Sequence, residues 1–303
     1  MTWLLLSLLA PLIWSAVNHA EKVLLSRYFQ NEGVGALMIV IGAIALPVAG
    51  ILVVVAPRTL AVDAGAAGVL LASGLLYAVS CVTYLLALER HDASYVVPFW
   101  QLTPVFTYGL GLVFLGERLS GDRLLGGGVV ILGALMLSVR PSAGRLTLDL
   151  RSIGLMAASS AALALGFVLF KLGGEGLEVS SALFWNQLGL GLVSMAFVLS
   201  RANRVACAES FRRNGPFPIA LNLTTQVLDL VAVVAANVAV RFAPAALVVL
   251  VEYAVQPVFV FLIGGLLSVV APRWVDEDIS LRSVAHRLAA IATMTFGVWV
   301  VLR

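Results

Sequence analysis

The stretch ALMIVIGAIALPVAGILVVVA, residues 36–56, has 21 residues and no charged side chain. A bilayer core is about 30 Å thick, so a helix needs roughly 20 apolar residues to cross it. Residues 36–56 are apolar on every helix face, which distinguishes a membrane span from an amphipathic surface helix. The same criterion predicts ten spans along the chain: 3–26, 36–56, 65–88, 95–115, 124–139, 152–172, 181–200, 218–240, 245–270 and 287–302.

The composition agrees with an all-α integral membrane protein. Of 303 residues, 61% are hydrophobic and 12% are charged, whereas a soluble domain has about 25% charged residues. This excludes a soluble enzyme and a disordered chain. The net charge of +3 is not a nucleic-acid footprint, because that requires basic side chains clustered on one face. A β-barrel is excluded because the spans do not alternate apolar and polar residues.

The sequence indicates no cofactor, metal site or catalytic constellation. Cys81 and Cys207 lie far apart and have no His or Cys neighbours, which argues against a zinc site or a disulfide framework. The glycines at 126–128 lack the Lys-Ser/Thr that follows in a phosphate-binding loop. The expected partners are a small-molecule substrate, protons as a candidate coupling ion, and the lipid bilayer. The sequence does not indicate an oligomeric state.

An internal repeat divides the chain near its middle. The tripeptide Pro-Val-Phe occurs at 104–106 and at 257–259, an offset of 153 residues that is close to half of 303. The same offset aligns Trp100 with Tyr253. If each half holds five spans, the second half enters the membrane from the opposite side, and the repeats are inverted. We therefore predict two five-helix units, residues 1–145 and 146–303.

Residues 92–138 resemble the end of an EamA-type domain of the drug/metabolite transporter superfamily. The stretch contains ASYVVP at 93–98, a proline-containing helix, LGERLS at 115–120 and a glycine-rich span from 126. Trp14, followed eight residues later by Lys22, is similar to the opening of such a domain.

The second half departs from this pattern, since Val269-Val270 stands where the first half has Gly116-Glu117. The resemblance implies ten helices in two inverted five-helix repeats. It also implies export or exchange of small organic metabolites, amino acids and aromatic solutes among them, without naming one.

Asp229 is the strongest candidate for a functional residue inside the membrane. It lies near the middle of span 218–240, where an aspartate costs at least ~2.5 kcal/mol on insertion. Asn222, Gln226 and Asp229 are spaced i, i+4 and i+7, so they form one polar stripe. We interpret the stripe as part of a substrate cavity. The alternative is that Asp229 pairs with a Lys or Arg of another helix and only packs the bundle.

Glu252 and Gln256 repeat the i, i+4 pattern on the next span. The connection 241–244 is short, which makes the two spans antiparallel neighbours. Both stripes are therefore predicted to face one cavity, and the structural alternative stated for Asp229 applies equally to Glu252.

Three residues are candidates for coupling transport to protons: His19, Asp229 and Glu252. Histidine is the side chain that ordinarily changes charge near neutral pH, and His19 lies toward the end of the first span. Its neighbours Glu21 and Lys22 are interpreted as snorkelling to the membrane interface. Lys171, at the end of the sixth span, is interpreted in the same way.

Prolines interrupt corresponding spans of the two halves, and paired interruptions point to a central binding site in transporters. Helix breaks are expected at Pro98, Pro104 and Pro257, although a single proline kink is ordinary in membrane helices. Aromatic and amide side chains surround these positions or share a helix face nearby. The further candidates for the pocket are Trp100, Gln101, Tyr253, Tyr77, Tyr84, Asn186 and Gln187.

The basic residues bear on orientation, because Lys and Arg concentrate in cytoplasmic connections. With the N-terminus outside, 13 of the 19 Lys and Arg residues fall on the cytoplasmic side, which favours both termini outside. The family resemblance implies both termini inside, so the two arguments disagree.

The sequence favours a secondary transporter, in the direction of export, in a plasma membrane of the bacterial inner-membrane type. A flippase for a lipid-linked metabolite shares the architecture and stays open as an alternative. A membrane-embedded enzyme needs convergent His, Asp or Cys clusters, which the sequence does not indicate. A channel is disfavoured, because no filter-like loop or ring of identical charges repeats.

Overall fold

The structure, a computed structural model, describes residues 2–29, 33–55, 57–91, 93–114, 120–138, 150–239, 242, 245–273 and 280–302. Within these residues the chain is predominantly helical, with short turns between the helices and without strands. The helices are α1 (Thr2–Val23), α2 (Gly33–Val55), α3 (Ala64–Arg90), α4 (Ala93–Val96), α5 (Leu102–Phe114), α6 (Gly121–Ser138), α7 (Leu150–Gly173), α8 (Val179–Ala196), α9 (Arg201–Asn214), α10 (Phe217–Ala239), α11 (Ala245–Val270) and α12 (Leu281–Leu302).

Among the described residues, seven helices are long and apolar enough to cross a membrane. They are α1, α2, α3, α7, α8, α10 and α11, which confirms an all-α, multi-pass membrane protein. The other three predicted spans fall on helices outside this set. Span 124–139 falls on α6, an 18-residue helix in which Leu124–Gly133 is the described apolar stretch. Span 287–302 falls on α12, which begins with Arg282, His286 and Arg287 in its first two turns.

The predicted span 95–115 is broken near Pro98. Helix α4 ends at Val96, and a 3-10 segment, Val97–Gln101, joins it to α5. Proline disfavours the α conformation in the residue before it and cannot donate a helical hydrogen bond, so the break falls at this position.

The breaks expected at Pro104 and Pro257 are not observed. Pro104 lies in the first turn of α5, where the missing N–H has no helical partner to lose. Helix α11 runs continuously from Ala245 to Val270 with Pro257 inside it. Membrane helices tolerate such a proline because neighbouring groups satisfy the released carbonyl.

Small residues let two of the spans meet backbone to backbone. Helix α3 packs against both α7 and α8. At the α3–α8 contact, a Cβ atom on Gly74 would overlap the carbonyl oxygen of Asn186, and one on Gly189 would overlap that of Leu71. Glycine is used where helices in a membrane approach this closely.

Helix α1 packs against both α10 and α11. It runs antiparallel to α10, since Trp14 contacts Asp229 and Tyr28, which follows α1, packs against Phe217 with the two rings tilted by 48°. It runs parallel to α11. Ser15 donates a hydrogen bond to the Gln256 carbonyl, and His19, one turn later in α1, contacts the carbonyl of Val260, one turn later in α11. The polar stripes of α10 and α11 were predicted to face one cavity, and α1 packs against both of these helices.

Candidate substrate-binding site

Asp229 joins three helices through its carboxylate. Its Oδ1 accepts a hydrogen bond of 2.9 Å from Trp14 Nε1 on α1, and its Oδ2 accepts one of 3.0 Å from the Tyr77 hydroxyl on α3. Among the described residues, these two neutral side chains are the hydrogen-bond donors to Asp229, and no Lys or Arg donates to it. The carboxylate is thus held by uncharged donors.

A second carboxyl group, that of Glu21, lies nearby. Glu21 interacts with the Tyr84 hydroxyl and, electrostatically, with Asp229. Tyr84 also donates a hydrogen bond of 3.2 Å to Asn18 Oδ1. The prediction that Glu21 snorkels to the interface is therefore wrong, because its carboxyl group faces α3 and α10 inside the bundle. We name Trp14, Asn18, Glu21, Tyr77, Tyr84 and Asp229 the central cluster.

Lys22 binds the end of α3. Its Nζ donates hydrogen bonds to the carbonyls of Leu88 (2.9 Å) and His91 (2.8 Å). The last carbonyls of a helix lack intrahelical donors, and a cation is favourable at this negative end of the helix dipole. Lys22 therefore ties the end of α1 to the end of α3.

An aromatic wall closes one side of the central cluster. The rings of Tyr84 and Trp100 are 4.5 Å apart between centroids. Trp100 Nε1 donates to Ser159 Oγ at 3.3 Å, and Ser159 is in turn 2.9 Å from Ser80 Oγ. The 3-10 segment after α4 carries Trp100, so the break at Pro98 sets the position of this ring.

One face of α3 organises these contacts. Ser73, Tyr77, Ser80 and Tyr84 lie within about 60° of the helix circumference at 100° per residue. Each contacts a different helix: Ser73 contacts Asn186 of α8, Tyr77 contacts α10, Ser80 contacts α7 and Tyr84 contacts α1. The rotation of α3 about its axis therefore determines which side chains of the neighbouring helices this polar stripe contacts.

Helix α11 adds a third carboxyl group, that of Glu252. Glu252 is 3% exposed, and its Oε1 has no hydrogen-bond partner among the described residues. The adjacent Tyr253 interacts electrostatically with both Glu252 and Asp229, which connects this helix to the cluster. Gln256 is also buried, and its main-chain carbonyl accepts a hydrogen bond of 3.2 Å from Ser15 Oγ.

His19, predicted as a coupling residue, is buried against α11. Its Nε2 lies 2.9 Å from the carbonyl oxygen of Val260. Its ring therefore bonds to a main-chain group, whereas Asp229 bonds to side chains.

The remaining predicted residues fall into three groups. Asn222 is buried with both amide atoms unpartnered among the described residues, and Gln226 is partly buried. Asn186 Nδ2 donates to Ser73 Oγ at 2.8 Å, which places it at the α3–α8 contact, and Gln187 has an unpartnered Oε1. The side chain of Gln101 lies outside the described residues.

Sequence reasoning missed Trp14, Asn18 and Glu21 as site residues. Their spacing of i, i+4 and i+7 is the same as that of Asn222, Gln226 and Asp229. This repeated spacing was the available signal. Glu21, however, lies so near the end of its span that its carboxylate could equally reach the membrane interface, and one sequence does not distinguish the two positions. Within the described residues, no group of three or more His, Cys, Asp and Glu side chains is arranged to hold a metal ion.

Comparison with known proteins agrees with this architecture. Residues 1–139 match the EamA-like transporter family. A solved crystal structure of another protein is similar over 98% of this chain and 95% of that chain, with 16% sequence identity and a TM-score of 0.59. Identity this low shows the fold alone. A search of curated proteins finds no match to the sequence.

Proposed function

We propose, from the premise that the first half of the chain, residues 1–139, belongs to the EamA-like transporter family, that this protein is a secondary-active transporter. It moves a small organic metabolite across the membrane by alternating access, in the direction of export. The membrane is a plasma membrane of the bacterial inner-membrane type. The single observation that carries the proposal is the Asp229 carboxylate, bonded to α1 and α3 from the middle of α10.

Ten crossings in two inverted repeats account for the twelve helices. Helices α4 and α5 with the 3-10 segment form one crossing, and α9 is a connecting helix between α8 and α10. The repeats are then residues 1–145 and 146–303. In chain order, α1 corresponds to α7, α2 to α8, α3 to α10, the α4–α5 crossing to α11, and α6 to α12.

The helix pairing supports this assignment. Contacts between helices of the two repeats occur in corresponding pairs. The α3–α7 contact corresponds to the α10–α1 contact, and the α5–α7 contact corresponds to the α11–α1 contact. The α2–α8 and α6–α12 contacts map onto themselves. A two-fold axis in the membrane plane has this consequence, and inverted repeats of this kind underlie alternating access.

One pair of hydrogen bonds repeats between the halves. Ser15 on α1 donates to the carbonyl of Gln256, the residue before Pro257. Ser160 on α7 donates at 3.3 Å to the carbonyl of Phe99, the residue after Pro98. In both halves the first helix thus binds the main chain of the proline-containing fourth crossing.

Protons are the coupling ions in this proposal. Asp229 and Glu252 are carboxyl groups inside the bundle, and among the described residues neither has Lys or Arg as a hydrogen-bond partner. Each can take up a proton on one side and release it on the other. His19 holds α1 to α11 and is the third coupling candidate.

The test is flux into proteoliposomes that contain the purified protein. A panel of labelled metabolites is screened with and without a pH gradient, and empty liposomes provide the control. We expect saturable movement of at least one solute, driven by the gradient. Movement of a lipid-linked substrate without any solute flux would replace this function with that of a flippase.

The orientation follows from the basic residues of α9 and the other connections. We propose that both termini lie outside, which puts α9 with Arg201, Arg204, Arg212 and Arg213 in the cytoplasm. Native Cys207 is a weak probe, because it is partly buried on the packed face of α9. Ala208 is exposed on the same helix, and Ala61 is exposed in the α2–α3 connection at the opposite end.

Ala208→Cys, in a chain whose native cysteines are replaced by serine, is expected to resist a membrane-impermeant thiol reagent in intact cells. Permeabilised cells should label fully. Ala61→Cys is the matched control and should label in intact cells. The reverse pattern, with Ala208→Cys labelled and Ala61→Cys protected, would place both termini in the cytoplasm.

A further inference from the structure

We propose that the central cluster selects an organic amine, a monocation with an aromatic body, and rejects the amino acid that carries the same body. This inference rests on the proposed transport function and names the substrate class of that site. Three features of the site support this inference: its carboxyl groups, its unpartnered asparagine amides and its aromatic side chains.

The central cluster contains two carboxyl groups and no basic side chain. Glu21 and Asp229 interact with each other electrostatically, and their hydrogen-bond partners among the described residues are Tyr, Trp and no basic side chain. The nearest Lys on α1, Lys22, directs its ammonium group to main-chain carbonyls of α3. An ionised carboxyl group in a low-dielectric interior is stabilised by a counter-charge, and without one it takes up a proton. A ligand ammonium group supplies that charge and departs with the ligand.

Asn18 and Asn222 indicate that a ligand with further polar atoms fits the site. Both are nearly fully buried, at 2% and 1% exposure. Among the described residues, Asn18 Nδ2 and both amide atoms of Asn222 lack hydrogen-bond partners. Buried polar atoms are almost always hydrogen-bonded in native proteins, so these atoms are available to a bound molecule or to the water that it displaces.

Helix geometry aims Asn222 at the same cluster. Helices α1 and α10 are antiparallel, with Trp14 level with Asp229. Asn222 lies seven residues from Asp229, and Glu21 lies seven residues from Trp14 in the matching direction. Two turns of helix return to the same face after about 10 Å. Asn222 is therefore level with Glu21, and the site extends from Asp229 to this end.

The aromatic side chains favour a cation over a zwitterion. Tyr77 and Tyr84 direct their hydroxyl groups to the site, and Trp100 packs against the Tyr84 ring. Aromatic side chains therefore border the site, and aromatic rings attract ammonium groups. The carboxylate of an amino acid would lie beside Glu21 and Asp229, and like charges that close are strongly unfavourable in a low dielectric. The described part of the site offers it no Arg or Lys partner. The amine is therefore bound, and its amino acid is excluded.

Three probes with one indole body test the inference on the native protein, without any variant. They are N-trimethylated tryptamine, tryptophan and indole-3-propionate, which carry a permanent positive charge, a zwitterion and a negative charge. Binding is measured by equilibrium dialysis of the detergent-solubilised protein, and flux is measured in proteoliposomes. We expect the cation to bind and move at least about 10-fold better than tryptophan, since one charge-assisted contact corresponds to about that factor.

A variant then assigns the effect to the cluster. Glu21→Gln keeps the side-chain shape and a hydrogen-bonding group for Tyr84 but removes the charge. We expect it to weaken binding of the cation about 10- to 100-fold. Glu178→Gln is the matched control, because Glu178 is exposed at the start of α8 and makes no side-chain cap. Its binding should equal that of the native protein.

The outcomes separate the two proposals. Binding of tryptophan or indole-3-propionate as tight as that of the cation would overturn the selectivity for amines. Transport of other panel solutes without any binding of the cation would overturn the selectivity and leave the transport function intact. Binding of the cation that depends on Glu21, with no solute moved in any gradient, would support the selectivity and overturn the transport function.

Discussion

Proteoliposomes that contain Asp229→Asn are expected to move the transported solute about 10- to 100-fold more slowly than those that contain the native protein. The asparagine has the same shape, so its Oδ1 still accepts from Trp14 and its Nδ2 donates to the Tyr77 oxygen. Both hydrogen bonds of the native site are thereby replaced, and only the charge is lost. Loss of one charge-assisted interaction accounts for the expected factor.

The control for this variant is Asp122→Asn, the same substitution at an exposed position in the first turn of α6. Its flux should be native. Size-exclusion profiles and thermal unfolding of both variants should match those of the native protein, which separates loss of function from loss of fold. Native flux of Asp229→Asn at every pH tested would remove Asp229 from the mechanism.

Gly74→Leu is expected to abolish most of the folded, monodisperse protein. A Cβ atom at Gly74 would overlap the carbonyl oxygen of Asn186 and lie 2.9 Å from the Leu190 nitrogen. Both are main-chain atoms of α8, so no side-chain rotation relieves the overlap. Overpacking usually costs about 1–3 kcal/mol, and a leucine side chain forced between two backbones exceeds that range. Gly74→Ala should show a smaller loss, within that range.

The matched control is Gly68→Leu, on the same helix. No heavy atom lies within 4 Å of the position that a Cβ would occupy at Gly68. Replacing glycine in a helix is favourable by roughly 0.5–1 kcal/mol, so this variant should fold at least as well as the native protein. The measurements are yield after size exclusion and the midpoint of thermal unfolding. If Gly74→Leu folds as well as Gly68→Leu, the close α3–α8 contact is not present in solution.

Length and apolarity are local properties, and for this reason most of the spans could be predicted. Seven of the predicted spans coincide with long apolar helices. The break at Pro98 was predicted as well, since the missing N–H and the restricted preceding residue act within one turn. The continuity of α11 through Pro257 could not be predicted, because it depends on the surrounding helices. Helix α9 was missed because its polar sequence was assigned to a connection.

The candidate site divides in the same way. Asp229 could be named as a candidate because a carboxylate in the middle of a membrane span is energetically costly and is therefore rarely present without a role. Glu21 was set aside because a charge near the end of a span can reach the interface. In the fold, α3 brings the Tyr84 hydroxyl to that position, and Asp229 approaches from α10. Asn186 shares the predicted pocket chemistry but meets Ser73 at the α3–α8 contact.

The sequence by itself determined that this chain enters a membrane as a bundle of apolar helices. This conclusion follows from transfer free energies, which each segment carries independently of its neighbours. Only the tertiary structure decided which polar side chains meet. The rotation and register of each helix result from many weak packing contacts between segments, among them the close approach at Gly74, and no single segment encodes them. Those contacts bring Glu21, Asp229, Tyr77 and Tyr84 together.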